Sequence, residues 1–583
     1  METSLNASAP DYDKQPWAAH YGDKVARDLP ALRHAHLPAL LTDTAKRFAK
    51  QVAFTTCLPN GMNGSLTYAQ VDAQADAFAV YLRQVLGLQP GARVALQSPN
   101  CLAYPVVAFG ILKAGCVLVN TNPLYTPAEM EHQFRDSGAE ALVIVDMFAD
   151  KLNSMLERTK IKKVIVVEVS QFFSSVPRAV IRGVMRWWNK TLPPIGVAHL
   201  RLPQVLAEGA TAQQRDRIDV SSYTQGLGPD SLAVLQYTGG TTGVSKGAML
   251  SHGNLLHNMD QAFAMGRSHL EDGREVILTA LPLYHIFAFT FNLLCFHAAG
   301  ARNVLVPNPR PIQNLQRAFD NYAITWVSGV NTLFNALMNE EWFTAIPPRH
   351  LKAAVAGGAA LQQAVAERWQ QITGTRIAEG FGLTESSPVV AFNPLEGKMK
   401  PGSIGLPVPG TEVRLVDDAG RPVAIGAPGE LILRGPQVMQ GYWQRPDETA
   451  AAVKDGWLYT GDIAEMDAEG YFRIVDRKKD MVLVSGFNVY PNEIEDVIAR
   501  MDEVLEVAVI GVPDAATGEA VRAYVVPHGE GLTQERVREH CRKVLTDYKI
   551  PKVVEFRQEL PKTPVGKILR KDLRAEFKSR TAA

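Results

Sequence analysis

Three observations predict an α/β protein built in two parts. Up to about residue 400, short apolar runs alternate with helical stretches. Beyond it the runs are separated by Gly, Pro and Asp. The charged run Asp476-Arg477-Lys478-Lys479-Asp480 then precedes a compact mixed pattern with a Lys-rich end. The expectation is a large N-terminal domain, residues 1–476, of mixed parallel sheets flanked by helices. It includes a small β-rich lobe at about 400–476. A small α+β C-terminal domain, 477–583, follows a linker at 476–480.

The elements follow in order. A hairpin is signalled between Val52 and Thr67. Arg93-Val94-Ala95-Leu96-Gln97 reads as a strand, with a helix through 106–113. Val117-Leu118-Val119 and Ala141-Leu142-Val143-Ile144-Val145 are the next strands. Strand–helix–strand alternation argues for a parallel sheet covered on both faces. The pattern recurs at 275–280, 304–306 and 353–356. The β-rich lobe is read from 413–416, 429–434 and 471–475, short strands between turn residues.

Composition narrows the function class. The 583 residues carry 60 Lys+Arg against 60 Asp+Glu, which argues against a surface built throughout for nucleic acid. A hydrophobic fraction of 46% with 21% charged residues argues against wholesale disorder and against a polytopic membrane protein. Cys57, Cys101, Cys116, Cys295 and Cys541 are odd in number, scattered and free of any C-x-x-C pair. A reducing, cytoplasmic compartment is expected. Glu2, Asp11 and Asp13 stand where a secretory signal needs basic and apolar regions. Residues 276–301 lack Asp, Glu, Lys and Arg, but Pro282, Tyr284, His285, Asn292 and His297 interrupt them. A buried strand, a turn and a buried helix are expected there rather than a membrane span.

The segment Tyr237-Thr238-Gly239-Gly240-Thr241-Thr242-Gly243-Val244-Ser245-Lys246-Gly247 follows the apolar run Ala233-Val234-Leu235. Its glycines let backbone N–H groups turn toward an anion, and its hydroxyls and ammonium add donors. Together they suit a polyphosphate. It is not the usual P-loop, because Ser245 precedes Lys246 instead of following it.

At this loop the chain resembles the acyl-adenylate-forming enzymes: acyl-CoA synthetases, luciferases and peptide-synthetase adenylation domains. Further motifs extend the resemblance over roughly residues 40–575, in the family's order. Leu281-Pro282-Leu283-Tyr284-His285-Ile286-Phe287 resembles the acid-pocket segment, which implies His285 near the acid carboxylate. Phe289 falls where long-chain members carry an aromatic gate. Gly357-Gly358-Ala359 resembles the adenine-side turn. Glu379-Gly380-Phe381-Gly382-Leu383-Thr384-Glu385 resembles the adenine-stacking and metal-binding motif. It implies Phe381 against the base, Thr384 at the α-phosphate, and Glu385 with Thr238 at a Mg²⁺ that bridges phosphates. Trp457-Leu458-Tyr459-Thr460-Gly461-Asp462 implies a ribose contact for Asp462. In the charged run, Arg477 would touch ribose or phosphates and Lys479 takes the hinge position. Gly486 falls where a pantetheine arm passes. Pro561-Lys562-Thr563-Pro564-Val565-Gly566-Lys567 resembles the catalytic-lysine loop, on a domain expected to be mobile.

Within the family, residues 476–495 most resemble the bacterial long-chain fatty acid–CoA ligase branch. So does Ser328-Gly329-Val330-Asn331-Thr332-Leu333-Phe334, where many members have a Val-Pro pair. The resemblance implies Mg²⁺ as cofactor, with ATP and CoA as co-substrates. A fatty acid would be activated to acyl-AMP with release of pyrophosphate, then transferred to CoA. Alternatives are a medium-chain or aryl acid, an acyl-AMP ligase serving a carrier protein, and a non-catalytic lipid-binding protein of the same fold. A homodimer is compatible with the resemblance.

One segment lies outside those motifs. No Asp or Glu occurs from Val169 to Ala207, and Arg178, Arg182, Arg186 and Lys190 recur every four residues. Val180, Ile181, Val184, Met185, Trp187 and Trp188 fall largely on the opposite face of a helix. Such a helix suits the surface of an anionic membrane, or packs on its own domain with solvated arginines.

Overall fold

The computed structural model describes residues 10–23, 25–238 and 245–582. Two large sheets dominate. One runs Leu200–Arg201, Lys163–Val167, Ala141–Val145, Arg93–Gln97, Val117–Thr121, Leu232–Thr238, Lys246–Ser251. It is parallel except for its last, antiparallel strand. The other runs Leu406–Pro407, Val389–Phe392, Ile377–Gly382, Ala353–Ala356, Trp326–Gly329, Val276–Thr279, Arg302–Leu305, Val52–Cys57, Asn63–Thr67. Its six central strands are parallel and its edges antiparallel. The 52–67 hairpin is present. The uncharged 276–301 stretch forms a strand and then buried helical turns. Among the described residues no helix is long and apolar enough to cross a membrane.

Helix Ala103–Lys113 is buried along its whole length. That explains why its sequence is apolar on every side, with no solvent face to keep polar. Its one charge, Lys113, meets Asp76 at 2.6 Å and also Asp72. Helix Tyr68–Val80 packs tightly on two neighbours at small residues. A Cβ at Gly110 would lie 2.8 Å from the Ala75 carbonyl, and one at Gly209 would overlap that of Ala77. All five cysteines are buried and free.

A small antiparallel sheet follows: Glu412–Val416, Gly429–Arg434, Trp457–Met466 with Val453–Lys454 and Phe472–Arg477. The last sheet comprises Val482–Val484, Phe487–Val489, Val504–Asp514, Gly518–Pro527 and Val553–Phe556, with its own apolar core. Several hydrogen bonds, among them the three that follow, lay this last unit on the rest. Asn335 Nδ2 donates to the Leu505 carbonyl (2.9 Å), Thr332 Oγ1 to the Gly566 carbonyl (3.0 Å) and Arg500 Nη2 to Gln363 Oε1 (3.1 Å).

The basic segment is helical over Ser175–Gly183 and Val184–Trp188, with Ile181 buried and Arg186 and Lys190 exposed, but the other residues do not keep to two clean faces. Arg178 and Arg182 turn inward onto the buried carboxylate of Glu168. Val176, Val180, Val184, Trp187 and Trp188 are exposed, the two tryptophans by 76% and 86%. The physical reason is Glu168: a buried carboxylate needs cationic partners, and these arginines supply them.

Gly209→Ala should lower the apparent Tm of the N-terminal part, reflecting about 1–3 kcal/mol of overpacking. Scanning calorimetry checks it, and an unchanged Tm would contradict this close packing.

Candidate active site

The parallel strands Val276–Thr279, Ala353–Ala356 and Ile377–Gly382 point their carboxyl ends at one crevice, the usual ligand position in an open α/β sheet. There a cavity of about 1660 Å³ lies between the large sheets, the small antiparallel sheet and the C-terminal unit. The 281–285 segment at its edge is pinned from the other sheet. Asn100 Nδ2 donates to the Leu281 carbonyl (2.9 Å), and Gln236 Nε2 to that of Tyr284 (2.8 Å).

The cavity gathers most of the residues singled out from the sequence. Thr238, Lys246, His285, Gly358, Ala359, Glu379, Gly380, Phe381, Gly382, Thr384, Glu385, Asp462, Arg477, Lys479 and Lys567 all line it. Phe289, Gly329 and Gly486 do not. Phe289 is fully buried in the core, and the nearby aromatics on the wall are Phe287 and Phe291. Gly239, Gly240, Thr241, Thr242 and Gly243 lie outside the described residues. Their flanks are fixed, because Thr238 and Lys246 stand opposite each other in an antiparallel ladder.

Backbone shape sets the walls. Gly358 has φ +79°, which favours glycine, and a Cβ at Gly382 would overlap the Pro388 carbonyl. Tyr442 O–H donates to Glu385 Oε1 at 2.7 Å. Asp462 and Arg477 stand opposite each other on neighbouring strands, with Arg477 Nε 3.3 Å from Asp462 Oδ1. A tight turn brings in Lys567. Its N–H donates to Thr563 Oγ1 (3.1 Å), its carbonyl accepts from Thr563 N–H (2.7 Å), and Gly566 carries φ +89°.

The electrostatics are unusual for a lysine. Desolvation and the neighbouring Arg477 guanidinium pull Lys567 down to about 7, while Asp462 pulls the other way. Lys479 is lowered to about 8, by desolvation first and then by Arg477. Burial, aided by Lys567, lowers His285 to about 4, so its ring is neutral at pH 7. Its Nδ1 accepts from the Phe287 N–H at 3.3 Å. Burial raises Asp462, against Arg477 and Lys567. Burial also lifts Glu379 to about 8, although Glu379 accepts the Leu361 N–H at 3.0 Å. Arg477, Lys567 and Lys479 thus crowd one part of the cavity, a local arrangement suited to a polyanion.

Residues 41–443 match the model of the AMP-binding enzyme family, and 493–567 that of the AMP-binding enzyme C-terminal domain. The chain belongs to the AMP-binding enzyme family. A long-chain-fatty-acid–CoA ligase of Yersinia pestis is 49% identical over 96% of this chain and 98% of its own. One of Bacillus subtilis is 35% identical over 97% and 98%. Among solved structures, the anthranilate CoA ligase AuaEII in complex with anthranoyl-AMP matches with TM-score 0.83 at 26% identity, over 95% of this chain and 99% of its own. ATP-bound MatB from Rhodopseudomonas palustris matches with TM-score 0.78 at 28%, over 93% and 99%. The large mixed sheets and the β-rich C-terminal region are this family's fold.

Two contacts at the site have no local sequence signal. Tyr442 reaches Glu385 from 57 positions away, and Thr332 holds the Gly566 carbonyl from 234. Only the fold brings these pairs together.

Arg477→Gln should raise the pKa of Lys567 on the order of one unit, by removing a like charge and freeing Asp462. The pH dependence of amine modification at Lys567, read by mass spectrometry, measures it. An unchanged midpoint would contradict the coupling between the two cations.

Proposed function

We propose that the protein is a long-chain fatty acid–CoA ligase. The carboxylate oxygen attacks the α-phosphorus of ATP, the α–β bridging P–O bond breaks and pyrophosphate leaves. The CoA thiol, losing its proton, then attacks the acyl carbonyl of acyl-AMP, and AMP leaves with its oxygen. The observation that carries the reading is Lys567: a C-terminal-domain lysine, held near neutrality, beside Asp462 and Arg477 in the cavity. The long-chain assignment rests on the relatives from Yersinia pestis and Bacillus subtilis.

In this reading Thr238, the Gly239–Gly243 loop and Lys246 take the phosphates. Gly358, Ala359, Gly380, Phe381 and Gly382 flank the adenine, with Glu379 behind them. Asp462 accepts from the ribose diol, and Arg477 contacts ribose or phosphate. Lys567 stabilises the negative charge that builds on phosphate oxygens as the acid attacks. Neutral His285 sits at the acid carboxylate. Phe289 and Gly329, off the present wall, would line the extension that a long chain opens.

For the second step the C-terminal domain, 477–583, rotates about Lys479. Lys567 withdraws and Gly486 comes to the pantetheine arm, so domain motion gates two chemistries at one site.

A Mg²⁺ ion fits the donor set. Among the described residues no cluster of three His, Cys, Asp or Glu side chains could hold a metal alone. The single carboxylate of Glu385, with the hydroxyl of Thr238, suits a cation held mostly by phosphate oxygens, and Thr384 stands at the α-phosphate. When bound it supplies charge neutralisation between phosphates.

The partner surface follows from the exposed side of the Ser175–Trp188 helix. With Arg178 and Arg182 committed to Glu168, membrane contact falls to Val176, Val180, Val184, Trp187 and Trp188, helped by exposed Arg186 and Lys190. Aromatic and apolar side chains next to cations suit an anionic bilayer, where fatty acids partition. The protein would then work at the cytoplasmic face.

An acid panel with ATP, Mg²⁺ and CoA tests the function. AMP should form fastest with long-chain fatty acids. A preference for medium-chain or aryl acids would redirect the specificity, and absence of AMP with every acid would overturn the reading. Lys567→Ala should cut ATP–pyrophosphate exchange by about 10²–10³-fold and leave thioester formation from preformed acyl-AMP within about twofold. Replacing Trp187 and Trp188 by Ser should lower sedimentation with anionic vesicles by about tenfold; unchanged binding would discard the membrane contact.

A further inference from the structure

Residues 439–445 form a strap that joins the two sides of the nucleotide end of the cavity. On one side, Met439 N–H donates to the Glu385 carbonyl (2.8 Å). On the other, the strap pairs with strand Lys246–Ser251. Gln440 N–H donates to the Met249 carbonyl (3.0 Å), Met249 N–H to that of Gly441 (2.9 Å), and Trp443 N–H to that of Gly247 (2.8 Å). Its far end is anchored on Asp136, whose side chain is 9% exposed. Arg445 Nη2 donates to Asp136 Oδ1 at 2.9 Å, and Trp443 Nε1 to its carbonyl at 3.1 Å. The same carboxylate accepts from Tyr237 O–H at 2.7 Å, one residue before Thr238.

Tyr442 stands at the middle of this strap. Its hydroxyl donates to Glu385 Oε1 at 2.7 Å, and its ring faces Lys246, with Nζ 5.1 Å from the centroid. One side chain therefore meets both an acid and a base of the site by different parts. The phenol occupies one carboxylate oxygen, and no side chain among the described residues donates to the other. The ring attracts the ammonium by its quadrupole, without a charge that would consume it.

We infer that Tyr442 is a positioning residue that keeps Glu385 and Lys246 from neutralising each other, holding the carboxylate for a phosphate-bound cation and the ammonium for phosphate. The inference rests on the ligase reading of the cavity and adds a residue to it. Removing the hydroxyl alone frees Glu385 to rotate; removing the ring also frees Lys246, and the two opposite charges become partners. Such a pair binds neither cation nor phosphate well.

The test is calorimetric titration of the full chain with ATP, once with excess Mg²⁺ and once with EDTA. Tyr442→Phe should weaken ATP binding about 10–100-fold with Mg²⁺, as expected for a lost hydrogen bond to a charged group, and leave binding in EDTA within about twofold. Tyr442→Leu should weaken both. In a Glu385→Gln background, Tyr442→Phe should have no further effect, because it acts through that carboxylate. Equal losses with and without Mg²⁺, or a full Tyr442→Phe effect in the Glu385→Gln background, would reduce Tyr442 to a packing role and overturn the inference. Unaltered binding in Tyr442→Phe overturns it too, with the ligase reading intact. A wild-type chain whose ATP affinity ignores Mg²⁺ overturns the inference and leaves the ligase reading to the acid panel.

Discussion

The arrangement depends on a lysine kept where its charge is unwelcome. Lys567 reaches the cavity on a tight turn, and the surroundings that remove water from it also supply the like charge of Arg477. In water an ammonium holds its proton until far above neutrality. Here the proton is held loosely until an anion arrives. In the proposed reaction a triphosphate brings that charge, and the cations around it become an asset at that moment. Preorganisation of this sort is costly to build, and the cost is spread over the fold. The 281–285 segment is pinned across the crevice, Gly382 packs on the Pro388 carbonyl, and Gly566 is held by Thr332.

The same turn is tied to the linker. Arg570, three residues past Lys567, meets Asp476 (3.2 Å), Asp480 (3.7 Å) and Glu495 (2.7 Å). Asp476 also accepts the Asn492 N–H at 2.9 Å. One guanidinium thus touches the end of the small sheet, the charged run and the first helix of the C-terminal unit. In the proposed rotation about Lys479 the Asp476 contacts would have to rearrange, while the Glu495 contact would travel with its own unit. In the proposed two-step cycle these bonds across the linker would be broken and remade.

Much of the fold was legible because parallel sheets announce themselves. The strands at 93–97, 141–145 and 353–356 lie where their apolar runs predicted. The antiparallel lobe after residue 400 and the hairpin at 52–67 are also present. Thr238, Gly358, Glu385 and Arg477, which line the cavity, could be picked out because each stands in a short motif at or just past the end of a strand. What stayed hidden depends on distant partners. Helical spacing placed the residues around the Arg178 helix but did not tell which of them look outward. For Arg178 and Arg182 that was decided by Glu168, ten residues before Arg178. Tyr442 could not be linked to Glu385, nor Arg445 to Asp136 across 309 positions, without the fold. Phe289 shows the limit of a motif: it marked an acyl gate, and the side chain stands behind the present wall.

The central claim is that Lys567 gains its proton when nucleotide binds. At pH 8 the unliganded group, at about 7, is mostly neutral, and bound polyphosphate should raise its pKa above the solution pH. Calorimetry of Mg²⁺–ATP binding in buffers of different ionisation enthalpy reads the protons taken up. The wild-type chain should take up most of a proton, and Lys567→Met should lose that uptake. Equal uptake in the two, or none in the wild type, would contradict the claim.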